Sequence, residues 1–265
     1  MSNRQKRLKA EIAWHGGRVP RGSAALATVR QILNSRLFFD VKRHKYAYSL
    51  TNDCLKVVLR ERTKDGDLIL VCPSGHGRDY DVIPHTVHTF GVDIAESAVK
   101  DSSRNYPQVA HSAGDALSLP YVSDVFDIIL CNLFLHHVVD DGWKPYLNEF
   151  RRVLKPGGYL IVQEPSVFYP ISWVTWPLRM LLRAVFRSEV VGHVPHEHPI
   201  NTSELARTMV NAGFLQVESQ GSSWVHNRLY LPVARAVARY QHVLSHVPFI
   251  KHTAWMVILV ARKAR

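Results

Sequence analysis

The chain has 265 residues, 46% of them hydrophobic, a formal net charge of +11 at pH 7 and three cysteines. That length buries one full α/β core with appendages. Cys54, Cys72 and Cys131 are odd in number and form no CxxC pair, which excludes a small disulfide-stapled module and suits a reducing compartment. The opening Met1-Ser2-Asn3-Arg4-Gln5-Lys6-Arg7 is basic with no apolar run behind it. Neither a secretory leader nor a membrane span is therefore expected, and the chain is read as cytoplasmic, with a peripheral position at the inner membrane face kept open.

Residues 1–66 hold 15 Lys/Arg against 5 Asp/Glu, residues 67–165 hold 7 against 13, and residues 166–265 hold 11 against 4. An acidic centre between basic flanks can meet nucleic acid, an anionic membrane or an acidic substrate, and charge alone does not choose among them. Residues 1–66 read as a helical extension. Ala25, Val29, Ile32, Leu33 and Leu37 repeat at helical intervals over Ala24–Phe39, and Leu50, Leu55, Val58 and Leu59 do so over Tyr48–Leu59. Such helices form either a lid over a site or a packing extension. The aromatics Trp14, Phe38, Phe39, Tyr46 and Tyr48 fit a pocket wall or a core equally.

From residue 67 strands and helices alternate, which predicts a parallel sheet covered on both faces. The apolar strand Leu68–Val71 breaks into Cys72-Pro73-Ser74-Gly75-His76-Gly77-Arg78-Asp79, a turn with two glycines and a short helix start. The next strand, Val87–Val92, closes on Asp93. A glycine turn lets backbone N–H groups approach a ligand, and a carboxylate about 20 residues further on can accept from both hydroxyls of a ribose. The competing reading of Asp93 is a helix cap before Ile94-Ala95-Glu96. A helix is predicted over Ala95–Arg104, a short strand over Gln108–His111 and a turn at Gly114-Asp115-Ala116. A strong strand follows over Val125–Asn132, then an amphipathic helix over Tyr146–Leu154 that Lys155-Pro156-Gly157-Gly158 stops. The fifth strand is Tyr159–Gln163, closing on Glu164.

The series Ser74-Gly75-x-Gly77, Gly91-Val92-Asp93, Gly114-Asp115-Ala116, Phe126-Asp127 and Glu149-x-x-Arg152-Val153-Leu154-Lys155-Pro156-Gly157-Gly158 resembles the class I S-adenosylmethionine-dependent methyltransferases. The resemblance is to their small-molecule, quinone-biosynthesis-like branch. It extends to Asn201–Leu205 through Ala212-Gly213 as a helix and turn, and to Phe214–Glu218 and Trp255–Val260 as final strands. It implies a Rossmann-like, seven-stranded, mostly parallel α/β sheet with helices on both faces and an antiparallel last strand. It also implies a methyltransferase domain over 67–265 with a helical acceptor-site insertion at about 166–200.

The resemblance implies S-adenosyl-L-methionine as cofactor. Backbone around Cys72, Ser74, Gly75 and Gly77 would pass its methionine portion, and Asp93 with Ile94 would meet the ribose. Asp115 and Ala116 would meet the adenine, and Asn132 and Leu133 would lie near the amino acid or the transferred methyl. Members of the family usually carry an acidic residue and a further glycine where this chain has Val71 and Pro73. His136 and His137, just beyond strand four, are candidate bases because imidazole titrates near neutrality, and Glu164 is a second candidate for orienting the acceptor.

The acceptor is expected to be a small molecule or lipid-like, methylated at oxygen or carbon. Arginines 179, 183 and 187 line one face of the apolar segment 173–187. The segment 231–244 starts at Pro232 and puts Arg235 and Arg239 outward. Both fit a cover over the site or a helix lying on an anionic membrane surface. His193, His196 and His198 lack the further ligands of a metal shell, so no metal is expected. An RNA methyltransferase using the basic flanks is a weaker alternative, since Asn132-Leu133-Phe134 lacks the Pro-Pro-aromatic turn of amine-modifying enzymes. A binding protein that kept the fold and lost the chemistry is a third reading. The oligomeric state is not legible.

Overall fold

The computed structural model describes residues 41–170, 173, 199–227, 229–247 and 249–265. The predicted helix Ala24–Phe39, the aromatic Trp14, arginines 179, 183 and 187 and histidines 193, 196 and 198 lie outside those residues.

The elements in chain order are α1 (Val41–Arg62), β1 (Leu68–Val71), β2 (His88–Asp93), α2 (Glu96–Asn105), β3 (Ala110–Ala113) and β4 (Phe126–Asn132), followed by α3 (Lys144–Val153), β5 (Leu154–Pro165), α4 (Thr202–Asn211), β6 (Phe214–Ser223), α5 (Leu231–His246) and β7 (Met256–Lys263). The strands form one seven-stranded sheet in the order β3-β2-β1-β4-β5-β7-β6. The first five are parallel, and β7 runs antiparallel between β5 and β6.

Side-chain alternation divides the core into two faces. Leu70, Ile129, Leu160 and Leu259 point to one face, where Leu147, Phe150 and Val153 of α3 and Leu205 and Met209 of α4 cover them. Ile69, Val71, Ile128, Leu130, Ile161 and Ile258 point to the other, under Leu55, Val58 and Leu59 of α1. Strands β1 and β4 are apolar on both faces for this reason, and read as continuous apolar runs. The C-terminal half of α1 is thus core. Its leading half reaches the carboxyl edge of the sheet, where the Arg78 guanidinium lies 5.3 Å from the centre of the Tyr48 ring.

The short helix expected after the glycines is a 3-10 helix, Arg78–Val82, which ends in extended Ile83 before Pro84. Two local expectations are revised. Strand β3 starts two residues later than predicted, because Val109 N is committed to Tyr106 O in the turn that ends α2. The Lys155–Gly158 run does end α3, but it lies inside β5 as an irregularity between the pairs Phe126↔Leu154 and Ile128↔Tyr159. Lys155 Nζ there reaches both oxygens of Asp127, at 2.9 and 2.7 Å, while Asp127 Oδ2 accepts from Leu68 N. Asp127 therefore ties β4 to β1 and β5.

Among the described residues no helix is long and apolar enough to cross a membrane. Because Leu59 is fully buried against the sheet, Leu59→Ala should lower the unfolding free energy by about 2–5 kcal/mol in urea titrations. A detachable extension would leave the transition of the sheet unchanged.

Candidate active site

The carboxyl ends of β1, β2 and β4 meet where the glycine turn leaves the sheet. Cys72 N still bonds Leu130 O at 3.0 Å, then Ser74 N turns onto Val92 O at 2.8 Å and Gly77 N onto Ser74 O at 3.0 Å. The two glycines serve different ends. A Cβ on Gly77 would meet the Tyr106 ring at 2.7 Å and Ser102 Oγ at 2.8 Å, so α2 packs against the bare backbone there. A Cβ on Gly75 would meet nothing within 4 Å. Gly75 instead takes a φ of +50° and leaves its outer side open to a ligand.

Asp93 is buried at the end of β2 and holds this turn. Its Oδ2 accepts from Gly75 N at 2.8 Å and its Oδ1 from Ala95 N at 2.9 Å. It therefore holds the chain just ahead of α2, whose cap is Ala95 and not Asp93 itself, and also the glycine turn. Each oxygen keeps a second lone pair for a ribose hydroxyl. Ile94 beside it is half-buried. Gly91 is needed two residues earlier, since a Cβ there would lie 1.8 Å from Tyr80 Oη. Asp115 Oδ1 accepts from Leu117 N at 3.0 Å in a local turn, and Ala116 is buried next to it.

Beyond β4 the backbone enters the left-handed region at Leu133, with φ +55°, and Leu133 N bonds Gln163 O at 2.9 Å. This bend sets Phe134, Leu135 and His136 over the end of β5. The fully buried Glu164 takes Phe134 N at 2.8 Å and Leu135 N at 2.5 Å on Oε1, and His136 Nδ1 at 2.6 Å on Oε2. A carboxylate that accepts on both oxygens requires Nδ1 to carry the proton, so Nε2 of neutral His136 carries the lone pair, the tautomer that a general base uses. The His137 ring lies 4.0 Å from that of His136. Of the two candidate bases, the structure brings only His136 onto Glu164.

Asn132 and Asp79 form a second buried polar pair. Asn132 Nδ2 donates to Asp79 Oδ1 at 2.8 Å across 53 residues, and both side chains are buried. Burial pushes the Asp79 carboxyl above its ordinary range, with Arg78 and the Asn132 bond opposing the shift. Burial likewise drives the thiols of Cys72 and Cys131 well above the ordinary thiol range, which keeps both neutral and unsuited to nucleophilic work.

The structure therefore gathers Ser74, Gly75, Gly77, Asp93 and Asn132 at the carboxyl edge of adjacent strands, and joins His136 to Glu164. Asp79 and Tyr80 received no role from the sequence. Asp79 stands two residues past the second glycine, but nothing local signals its pairing with Asn132.

The family described as Methyltransferase domain matches residues 72–162. A demethylmenaquinone methyltransferase from Beutenbergia cavernae is 32% identical over 49% of this chain and 57% of its own length. A phthiotriol/phenolphthiotriol dimycocerosates methyltransferase from Mycobacterium ulcerans is 30% identical over 48% of this chain and 49% of its own. The chain thus spans about half the length of these curated relatives. A solved SAM-dependent methyltransferase from Thermotoga maritima shares the fold with a TM-score of 0.61 at 19% identity, covering 89% of this chain and 97% of that one.

Asp79 also sets a pH dependence. In the unfolded chain its carboxyl ionises in the ordinary carboxylate range. In the fold it ionises at higher pH, so above that range the buried charge subtracts from stability. The loss is relieved as pH falls through the raised value and vanishes below the unfolded one. Its charged and titratable neighbours are Arg78, Tyr80, Tyr106 and Cys131. Asp79→Asn, which keeps an acceptor for Asn132, should melt at higher temperature than the wild type at pH 8, with the gap closing toward pH 4. A lower melt at pH 8 would show the carboxylate to be net stabilising.

Proposed function

We propose that this chain, which carries a class I S-adenosylmethionine-dependent methyltransferase domain, binds S-adenosylmethionine at the glycine turn and methylates oxygen or carbon of a small or lipid-like acceptor. The observation that carries this reading is the Asp93 carboxylate bonded to Gly75 N beside an open glycine face. Backbone free of a Cβ suits close approach of the methionine portion, and the spare lone pairs of Asp93 suit the ribose hydroxyls. Asp115 and Ala116 lie one strand further along, where the adenine would rest. When bound, the cofactor supplies a methyl group made electrophilic by its sulfonium.

The protein's own contribution is placement and proton removal. The neutral Nε2 of His136 would take the proton of a hydroxyl or acidic carbon as that atom becomes the nucleophile, and Glu164 would stabilise the resulting imidazolium through Nδ1. Val71 and Pro73, the departures in the first motif, leave this geometry intact: Val71 faces the apolar core under α1, and the turn is held by Asp93.

A lipid-like acceptor is favoured by α5. Val233, Tyr240 and Val243 are exposed along one stripe of that helix, with exposed Arg235 and Arg239 beside it, and Phe249 beyond its end is 87% exposed. An apolar stripe edged by arginine suits the interface of an anionic bilayer. The Mycobacterium ulcerans relative, whose name specifies a dimycocerosate acceptor, supports the same class.

Isothermal titration with S-adenosylmethionine should show binding, weakened by about 1–3 kcal/mol in Asp93→Ala; no heat from the wild type would end this reading. His136→Ala should leave that affinity within about twofold yet lower methyl transfer to phenolic or quinol-type lipids by about 10²-fold or more. An equal fall in binding would make the histidine structural. Flotation with anionic but not neutral vesicles, lost in Arg235→Glu/Arg239→Glu, checks the lipid-facing role of α5.

A further inference from the structure

We propose that Asp79, together with Asn132, holds the α-ammonium group of the cofactor's amino-acid portion, in place of the acidic residue that Val71 removes from the end of β1. This rests on the adenosylmethionine reading above. Val71 is fully buried among Ile69, Ile128, Leu130 and α1 side chains, so β1 offers no carboxylate at its carboxyl end. Asp79 brings one back from the 3-10 helix after the glycines. It is 6% exposed, and its bond to Asn132 puts it at the end of β4, the strand next to β1.

Asn132 adds an unmet acceptor to the same pair. Its side chain is 6% exposed, and its Oδ1 has no hydrogen-bond partner among the described residues. The orientation of the amide follows from chemistry, because an ionised carboxylate only accepts and the nitrogen must face Asp79. The pair thus presents an unmet carbonyl oxygen and a carboxylate with spare lone pairs. Two buried acceptors, one of them negative, call for a cationic group with several N–H donors, and a primary ammonium has three.

The resident cation meets that need only in part. Arg78 is half exposed, its Nε lies 3.7 Å from Asp79 Oδ1, and its guanidinium sits over the Tyr48 ring. The raised ionisation of Asp79 is the state that a bound ammonium would relieve. In the sheet β1 lies between β2 and β4, so a ligand with its ribose at Asp93, at the end of β2, that crosses the glycine turn at the end of β1 extends its amino acid toward Asn132, at the end of β4.

The test is calorimetric binding of S-adenosylhomocysteine and of its desamino analogue, which lacks only the α-amino group, to the full chain. The wild type should prefer S-adenosylhomocysteine by about tenfold or more, as loss of a charge-assisted bond implies. Asp79→Asn should shrink that preference to within about twofold. A preference unchanged in Asp79→Asn overturns the inference, and so does a wild type without preference, a result that needs no variant. Wild type that binds neither ligand overturns the adenosylmethionine reading and this inference together. Binding of S-adenosylhomocysteine without discrimination at Asp79 removes the inference alone.

Discussion

A single carboxylate sets the geometry of the mouth. Asp93 accepts Gly75 N on one oxygen and Ala95 N on the other, so it fixes the turn after β1 and the entry to α2 together. Both N–H groups lie where the chain leaves regular structure and has no ladder partner for them. An alanine there would orphan two donors at the place where a ligand needs a rigid backbone. Everything downstream inherits this constraint. The open side of Gly75 can face a ligand because Asp93 holds the turn from behind, and α2 can press its Ser102 and Tyr106 against Gly77 because the turn does not move.

The strand pattern was legible because each central strand is apolar on both faces, and that signal needs no knowledge of neighbours. Leu68–Val71 and the Phe126–Asn132 run stand where expected, and the antiparallel β7 stands where the family resemblance puts it. Boundaries set by hydrogen bonding were less legible. Gln108 and Val109 carry strand-like character, yet Val109 N is used by the turn before them, and the glycines of Lys155–Gly158 interrupt a strand as readily as they end a helix. At the site, the positions of Asp93 and Asn132 at the ends of β2 and β4 were readable from order alone. Pairings across 28 residues, His136 with Glu164, and across 53, Asn132 with Asp79, were not. They depend on where the sheet order brings distant turns, and residues 136 and 137 looked equivalent until Glu164 was seen to meet only the first.

The two buried acid sites are built on opposite principles. Glu164 is fully buried but surrounded by donors, two from backbone and one from His136, so its charge is matched within the protein. Such a group is a fixed part of the scaffold that orients an imidazole. Asp79 is almost as deep, but has one amide, a poorly aligned arginine at 3.7 Å and an upward-shifted carboxyl. The matched site suits a proton acceptor that must keep one tautomer. The unmatched site suits a ligand that brings its own positive charge.

That asymmetry also bears on whether the altered first motif marks a chemically silent relative of the methyltransferases. A site kept only for structure gains nothing from a buried carbonyl without a donor or a carboxylate without a full counterion; replacing both by apolar groups of similar shape is neutral or stabilising. Here Val71 has already gone that way, closing β1 into the core under α1. Asp79 and Asn132 have not, although they lie one strand away in the same buried layer. A chain that merely filled its crevice would have no use for an unmet amide oxygen and a partly countered carboxylate beside the glycine turn. The polar cost is concentrated at the end of β4 and in the helix after the glycines, and the apolar side chain is confined to where α1 packs, a division that sets the two parts of the first motif under different constraints.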